Sequence, residues 1–123
     1  MTDKTFKIGI MSKKDYRNRT ISIAKGEYTP KHNEPKIWFE SIQSLGQILS
    51  NENQKLLQLI KESHPQSLKE LEILSGRSSS NLSRTLKTLS QYGIVELNRD
   101  NKKLVPTVLA TKFCVEFGLH HSA

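Results

Sequence analysis

Side chains that form directed hydrogen bonds are concentrated between residues 77 and 87. They supply two guanidinium groups, one ammonium, one amide and three hydroxyls, on Arg77, Ser79, Ser80, Asn81, Ser83, Arg84 and Lys87. The Asn81 amide and the Arg84 guanidinium can each form paired hydrogen bonds, to adenine and guanine respectively. This chemistry favours contact with nucleic-acid bases over the alternative that residues 78–81 only cap a helix. Ser78 itself is assigned the capping role.

A second polar cluster lies in and beside a predicted tight turn between two strands. It carries three cations and an amide, on Arg99, Asn101, Lys102 and Lys103. We expect these side chains to contact DNA phosphates, which position a protein on a duplex without reading its sequence. The alternative is a solvated turn.

The cations are unevenly distributed along a chain whose formal net charge is +7. Residues 1–36 hold nine Lys or Arg and four Asp or Glu, residues 37–76 hold three and five, and residues 77–103 hold six and two. Two basic zones on either side of an acidic middle indicate a surface that meets a polyanion. Nucleic acid is favoured over membrane because neither zone is a basic amphipathic helix with bulky apolar anchors. The N-terminal cations are equally compatible with DNA and with an acidic protein partner.

Length and composition limit the class of protein. At 123 residues we expect one domain, and a hydrophobic content of only 35% favours a second copy covering part of the surface. No apolar run approaches the roughly 20 residues of a membrane span, and residues 1–11 have no signal-peptide core. The single cysteine, Cys114, excludes an internal disulfide and is typical of a reducing compartment. These features predict a cytoplasmic protein, nucleoid-associated when it binds DNA.

The first half of the chain predicts two extended segments and two helices. Alternating apolar and polar residues predict a strand at Thr5–Ile10. A helix capped by Ser12 is expected to run to about Ala24, and residues 26–35 form a connector. Residues 36–40 are expected to be extended, with Trp38 and Phe39 in the core or a dimer contact. Ser41 then caps a short helix whose apolar face consists of Ile42, Leu45, Ile48 and Leu49.

The second half predicts three capped helices and a hairpin. Ser50, Ser67 and Ser78 are the caps, and the helices end near Ser63, at Gly76 and at Gly93. Ser67 and Glu70 form a capping box, in which the carboxylate accepts from the backbone N–H of Ser67. The hairpin has strands at 94–97 and 103–109 and a turn at 98–101, and Phe113, Val115 and Phe117 alternate in a final strand.

This order of elements predicts a winged helix-turn-helix, an α+β fold that is mainly α with a β-hairpin wing. A B-DNA major groove about 12 Å wide admits one helix, here residues 78–92, while the preceding short helix sets its angle. We predict an N-terminal extension at 1–40 for dimerisation or partner binding, a DNA-binding domain at 41–107 and a C-terminal strand and tail at 108–123.

The segment from Ser80 to Leu89, followed by Tyr92-Gly93-Ile94-Val95-Glu96, resembles the recognition helix and first wing strand of MarR- and ArsR-like regulators. Residues 45–50 are similar to the entry helices of that superfamily, and residues 41–105 carry the motif. The resemblance implies a dimeric transcriptional repressor or autoregulator. The N-terminal 40 residues depart from the usual long dimerisation helix of MarR proteins, so the dimer geometry stays open.

The leading hypothesis is a sequence-specific DNA-binding regulator that occupies an operator as a homodimer. Residues 1–50 and 108–123 are expected to build the dimer, and half-sites are expected about 10 bp apart or a multiple of that. The alternative is an antitoxin whose N-terminal region neutralises a toxin and which autoregulates through the same DNA-binding domain.

Other chemistry has little support in the sequence. Cys114 with His120 and His121 offers too few ligands for a metal-sensor site, although a metal or redox sensor using Cys114 remains a third hypothesis. His64 is expected only to end a helix. No nucleotide-binding or catalytic motif spacing occurs, so we expect no enzyme activity, no cofactor and no resident metal.

Overall fold

The structure, a computed structural model, describes residues 4–119, and its elements follow one another in the predicted order. The helices of this range are α1 (Lys13–Ala24), α2 (Ile42–Ile48), α3 (Asn51–Ser63), α4 (Leu68–Ser75) and α5 (Ser79–Gln91). The strands are β1 (Thr5–Ile10), β2 (Ile37–Phe39), β3 (Val95–Asp100), β4 (Lys103–Val108) and β5 (Lys112–Glu116). The fold is therefore α+β, as predicted.

Each of these helices begins at a serine, as the sequence predicts. The serine hydroxyl accepts a hydrogen bond from the backbone N–H three residues later, at 3.0–3.2 Å, in Ser12, Ser41, Ser50, Ser67 and Ser78. The capping box differs in one detail, because the Glu70 carboxylate accepts from the N–H of Gln66 at 3.3 Å, one residue before the expected donor. Local side-chain chemistry thus fixes where the helices start.

A three-stranded parallel sheet joins the two ends of the chain. Its order is β2-β1-β5, and α1 makes the crossover between β1 and β2. Gly9 pairs with Trp38, whose indole lies directly on the β1 backbone. A Cβ at Gly9 would come within 2.3 Å of the indole Cζ3, so the close approach requires a residue without a side chain.

One hydrophobic core contains residues of the parallel sheet and of the helices. Ile8 and Phe39 of the sheet are fully buried together with Leu71 and the α5 leucines. The Phe39 ring stacks on Tyr92, which follows α5, with centroids 4.3 Å apart and planes 14° apart. The segment expected to be an extension is therefore built into the core, while the predicted domain boundaries stay a prediction.

The β3–β4 hairpin differs from its predicted form. β3 continues through Asp100, so the turn predicted at 98–101 is wrong and Arg99 lies in a strand. The turn consists of Asn101 and Lys102, with φ of 51° and 66°. Two left-handed residues match the backbone twist of a two-residue hairpin, and this requirement outweighs the turn-forming residues Asn98 and Asp100.

Several apolar residues are exposed, among them Ile42, which is predicted to lie on the apolar face of its helix. Ile42 of α2 and Leu74 of α4 are 51% and 44% exposed, because these short helices pack only part of their length against the core. β5 ends at Glu116, so Phe117 lies beyond the strand predicted to contain it. In residues 4–119, no helix combines the length and apolar content needed to cross a bilayer.

Candidate nucleic-acid interface

Helix α5 has a fully apolar inner side and a polar outer side. Leu82, Leu86 and Leu89 are completely buried. Helical spacing places Ser80, Arg84 and Lys87 on the opposite side, where all three are exposed. Of the remaining predicted residues, the exposed ones on this helix are Ser79 and Ser83. We call Ser80, Arg84 and Lys87 the α5 face.

The short helix α4 and a glycine turn set the position of α5. Leu71 of α4 is fully buried in the core shared with the α5 leucines. Gly76 ends α4 with φ of 73°, and its N–H donates to the carbonyl of Glu72 at 2.9 Å. A left-handed residue after the last turn is the usual helix end, and Ser78 then starts α5 two residues later.

Arg77 is half-buried, and its guanidinium is engaged by residues of α3 and α5. Its guanidinium donates to the carbonyl of Glu52 at 2.7 Å and to Oδ1 of Asn53 at 3.1 Å. The same nitrogen that contacts Asn53 lies 3.4 Å from Oδ1 of Asn81. Arg77 thus joins the first turn of α3 to the first turn of α5, and it acts as a positioning residue for the α5 face.

Asn81 has the least accessible side chain among the predicted base-reading residues of α5. It is half-buried, and its amide oxygen faces the Arg77 guanidinium. A paired contact with adenine needs both the amide oxygen and the amide nitrogen. This arrangement leaves the amide nitrogen of Asn81 as its more available group. Arg84 is exposed and is therefore better placed for base recognition than Asn81.

Two residues important for this geometry were missed by sequence reasoning. Asn53 fixes Arg77 and also donates from its amide to the carbonyl of Ile48 at 2.9 Å. Its partner lies 24 residues away, so no local pattern indicates the contact. Gln91 is exposed one turn beyond Lys87 and extends the α5 face, and its spacing from Lys87 was the signal available.

The hairpin separates the predicted wing cations. Arg99 is opposite Leu104, and Lys103 is opposite Asp100. Because residues directly opposite share a face and successive residues alternate, Arg99 and Lys103 lie on opposite faces of the hairpin. Lys102 occupies the turn itself, beside Asn101, and all four side chains are exposed. The hairpin tip, Asn101 with Lys102, is therefore the most protruding cationic point.

The face of the hairpin that carries Lys103 has mixed charge. Glu96, Asn98 and Asp100 alternate along β3 on this side, and the Asn98 amide donates to the Glu96 carboxylate at 2.6 Å. The Asp100 carboxylate, directly opposite Lys103, reduces the attraction of Lys103 for a phosphate. Arg99, on the other face, shares its side with Leu97 and Leu104, which carry no charge.

Part of the N-terminal basic zone is used inside the fold. The Arg19 guanidinium donates to the Glu34 carboxylate at 3.0 Å and lies 5.1 Å from the centroid of the Trp38 ring. The Tyr28 hydroxyl donates to the other oxygen of the same carboxylate. Other cations of this zone are exposed on or beside α1, namely Lys13, Lys14, Arg17 and Lys25.

Cys114 is exposed at the centre of β5. His120 and His121, its possible co-ligands, lie outside the described residues. Within residues 4–119, no three His, Cys, Asp or Glu side chains come together as a metal site would require.

Comparison with known proteins gives one family match. The family model described as HVO_A0114 matches residues 48–115, more than half of the chain. No curated protein matches the chain. Among solved structures, it is similar to a crystal structure described as the predicted DNA-binding transcriptional regulator from E. coli, with 24% identity and a TM-score of 0.44, over 55% of this chain and 73% of that chain.

Proposed function

The chain belongs to the HVO_A0114 family, and we propose that it is a DNA-binding regulator of transcription that reads double-stranded DNA through α5 and the hairpin. The observation that carries this proposal is the α5 face. Ser80, Arg84 and Lys87 project from a helix whose opposite side is completely buried, and Arg77 fixes its start. A rigid helix with one polar, cationic side has the form that a major groove admits.

In this proposal α3, α4, α5 and the hairpin form a winged helix-turn-helix. Arg84 donates two hydrogen bonds to the O6 and N7 acceptors of a guanine, while Ser79, Ser80 and Ser83 allow the helix to approach the base edges closely. Lys87 lies one turn along the helix from Arg84, where it contacts the phosphates beside the groove. Asn81 has a smaller part than Arg84 in base recognition, because it is half-buried and its oxygen already accepts from Arg77.

The hairpin adds contacts that do not depend on base sequence. Lys102 at the tip meets a phosphate directly, and Arg99 and Lys103 contact backbone on either side of it. Because Arg99 and Lys103 lie on opposite faces, we propose that the hairpin inserts edge-on between two phosphate rows rather than lying flat on one of them. This geometry is supported by the register of β3 and β4.

We further propose that the chain binds an operator as a homodimer and acts as a repressor or autoregulator by occupying it, as the MarR- and ArsR-like resemblance implies. Two recognition helices one helical turn apart require half-sites about 10 bp apart, or a multiple of that. The antitoxin alternative depends on a basic N-terminal region that a winged helix-turn-helix alone does not explain. Ile8 and Phe39 now give that region a structural role, and co-purification of a small toxin would be the evidence for the alternative.

Selection of bound duplexes from a random pool tests this function. The wild-type chain is expected to enrich an inverted repeat with guanine in each half-site, at the spacing given above. Enrichment of no sequence, with affinity that depends only on salt, would contradict sequence-specific regulation. Enrichment of a single unrepeated site would contradict the homodimer and leave DNA recognition intact.

A further inference from the structure

The outer edge of β5 is unpaired within the described part of the chain. β5 bonds to β1 on one side, and β1 lies between β5 and β2. The N–H of Lys112 donates to the carbonyl of Lys4 at 3.2 Å. Backbone groups alternate along a strand, so those of Cys114 and Glu116 also face β1. The backbone N–H and carbonyl groups of Phe113 and Val115 therefore face outward, where they are available for hydrogen bonds with another strand.

Apolar side chains follow this open edge. Val115 is 44% exposed, and Phe117, just after the strand, is 56% exposed. Phe113 and Val115 pair in register with Phe6 and Ile8, so they lie on the side of the sheet that faces the core. An open strand edge with exposed apolar residues promotes pairing with another strand, and proteins usually cover such an edge.

The sequence of β5 is complementary to itself when read in the opposite direction. Its five residues, Lys-Phe-Cys-Val-Glu, place a cation at one end, an anion at the other and a cysteine in the middle. We propose that a second copy of the chain covers the edge, with β5 pairing antiparallel to β5 about a two-fold axis at Cys114. This inference deepens the proposed function and rests on it for the requirement of two copies.

The side-chain pairs of this register are favourable. Lys112 is opposite Glu116 of the second copy, Phe113 is opposite Val115, and Cys114 is opposite Cys114. The Glu116 carboxylate oxygen Oε2 is 3.8 Å from Nζ of Lys7 in its own chain, and the Glu116 side chain is still 61% exposed. It can therefore pair with a second cation. A register displaced by two residues places no carboxylate opposite Lys112. Displacement by one residue would move every side chain of the strand to the other face of the sheet.

The backbone supports the same register. Phe113 and Val115 point their N–H and carbonyl groups outward, so each pair across the axis exchanges both hydrogen bonds. Cys114 forms the central pair without hydrogen bonds, where Cα atoms are about 4.5 Å apart and side chains approach closely. The result is one continuous sheet through both copies, in the order β2-β1-β5 and then its reverse.

Charge reversal at β5 tests the proposal in the absence of DNA. Sedimentation equilibrium should show a wild-type dimer that Lys112→Glu weakens about tenfold, because two like-charge pairs replace two opposite-charge pairs. The double variant Lys112→Glu with Glu116→Lys restores the pairs and the original net charge, and should restore the dimer. A dimer that the single variant leaves unchanged, or that the double variant fails to restore, would overturn the β5 interface.

Two further measurements guard against variants that fail to fold. Val115→Pro removes an outward N–H without touching the bonds to β1, so it should give a folded monomer by circular dichroism. A short bis-maleimide should crosslink wild-type chains through Cys114, and Cys114→Ser should abolish the product. A monomeric wild-type chain, or a folded dimer in Val115→Pro, would overturn the proposal. A β5 dimer that binds no DNA would contradict the proposed function alone, whereas DNA binding by a monomer would overturn this inference and the proposed homodimer and leave DNA recognition intact.

Discussion

At the scale of single residues, side chains of the same type have different roles according to what surrounds them. Arg84 is exposed on the α5 face, whereas Arg77, seven residues earlier, is held by the first turn of α3. The sequence placed both among the DNA-contacting residues, since an arginine beside a helix start carries no local sign of a partner far along the chain. Burial and hydrogen bonding thus distinguish the exposed Arg84 from Arg77, which is engaged by α3.

Replacing Arg77 with Ala should lower stability and DNA affinity together. The change leaves the Asn53 amide oxygen and the Glu52 carbonyl without their charged donor, which should reduce the free energy of unfolding by about 1–3 kcal/mol. Urea denaturation measures this loss. Arg84→Ala is the matched control, because an exposed arginine on the same helix should change the unfolding free energy little. Equal stability of the two variants would show that Arg77 has no positioning role.

Gly9 should tolerate no side chain. In Gly9→Ala the new methyl group would collide with the Trp38 ring, and displacing the indole should cost about 1–3 kcal/mol of unfolding free energy. Gly46→Ala is the control, because nothing lies within 4 Å of a Cβ at that position in α2. It should stabilise the helix by about 0.5–1 kcal/mol. Thermal denaturation should show that Gly9→Ala is less stable than the wild type and that Gly46→Ala is more stable. A loss of stability in Gly46→Ala would contradict the open space around that position.

At the scale of elements, local chemistry was predictable and pairing across the chain was not. The five serine caps and the order of helices follow from residues within one turn of each other, and all were predicted. The hairpin turn was misplaced because Asn98 and Asp100 favour turns, whereas Asn101 and Lys102 adopt the left-handed pair that a two-residue loop needs. The pairing of β1 with β5 joins residues about a hundred positions apart, which no local pattern specifies.

The hairpin tip allows stability and DNA binding to be changed in opposite directions. Lys102 has φ of 66°, so Lys102→Gly removes backbone strain while it removes a cation. We expect a gain of about 1 kcal/mol in unfolding free energy. The affinity for all duplexes should fall alike, and the slope of log K against log salt should decrease in magnitude by about 0.9 for each subunit that contacts the duplex, or about 1.8 for the proposed homodimer. Unfolding curves and salt titrations measure the two effects. An unchanged salt slope would remove Lys102 from the interface.

At the scale of the whole molecule, the two ends of the chain and its central helices share one core. Ile8 and Phe39 belong to the same hydrophobic core as Leu82 and Leu86, although the sequence predicts an N-terminal extension at 1–40. The packing of β1 and β2 against the helices joins segments far apart in the chain, so no local pattern in residues 1–40 indicates it. The positions of α5 and the parallel sheet are linked through the stacked rings of Phe39 and Tyr92.

A shared core predicts a single unfolding transition. The only tryptophan, Trp38, lies in the parallel sheet, so its fluorescence reports on the ends of the chain, while far-ultraviolet circular dichroism reports mainly on the helices. The two signals should change at the same urea concentration, since one core unfolds cooperatively. Two separate midpoints would instead support an independent extension at residues 1–40.

The affinity of Arg84→Ala for the duplex selected by the wild-type chain tests the central claim most directly. Fluorescence anisotropy should show a loss of about 1–3 kcal/mol in binding free energy for each half-site and a loss of preference at one base of each half-site. Arg17→Ala removes an exposed arginine from α1 with the same change in charge and should bind nearly as the wild type does. If Arg84→Ala keeps the affinity and base preference of the wild type, or if Arg17→Ala loses the same base preference, α5 is not the element that reads DNA.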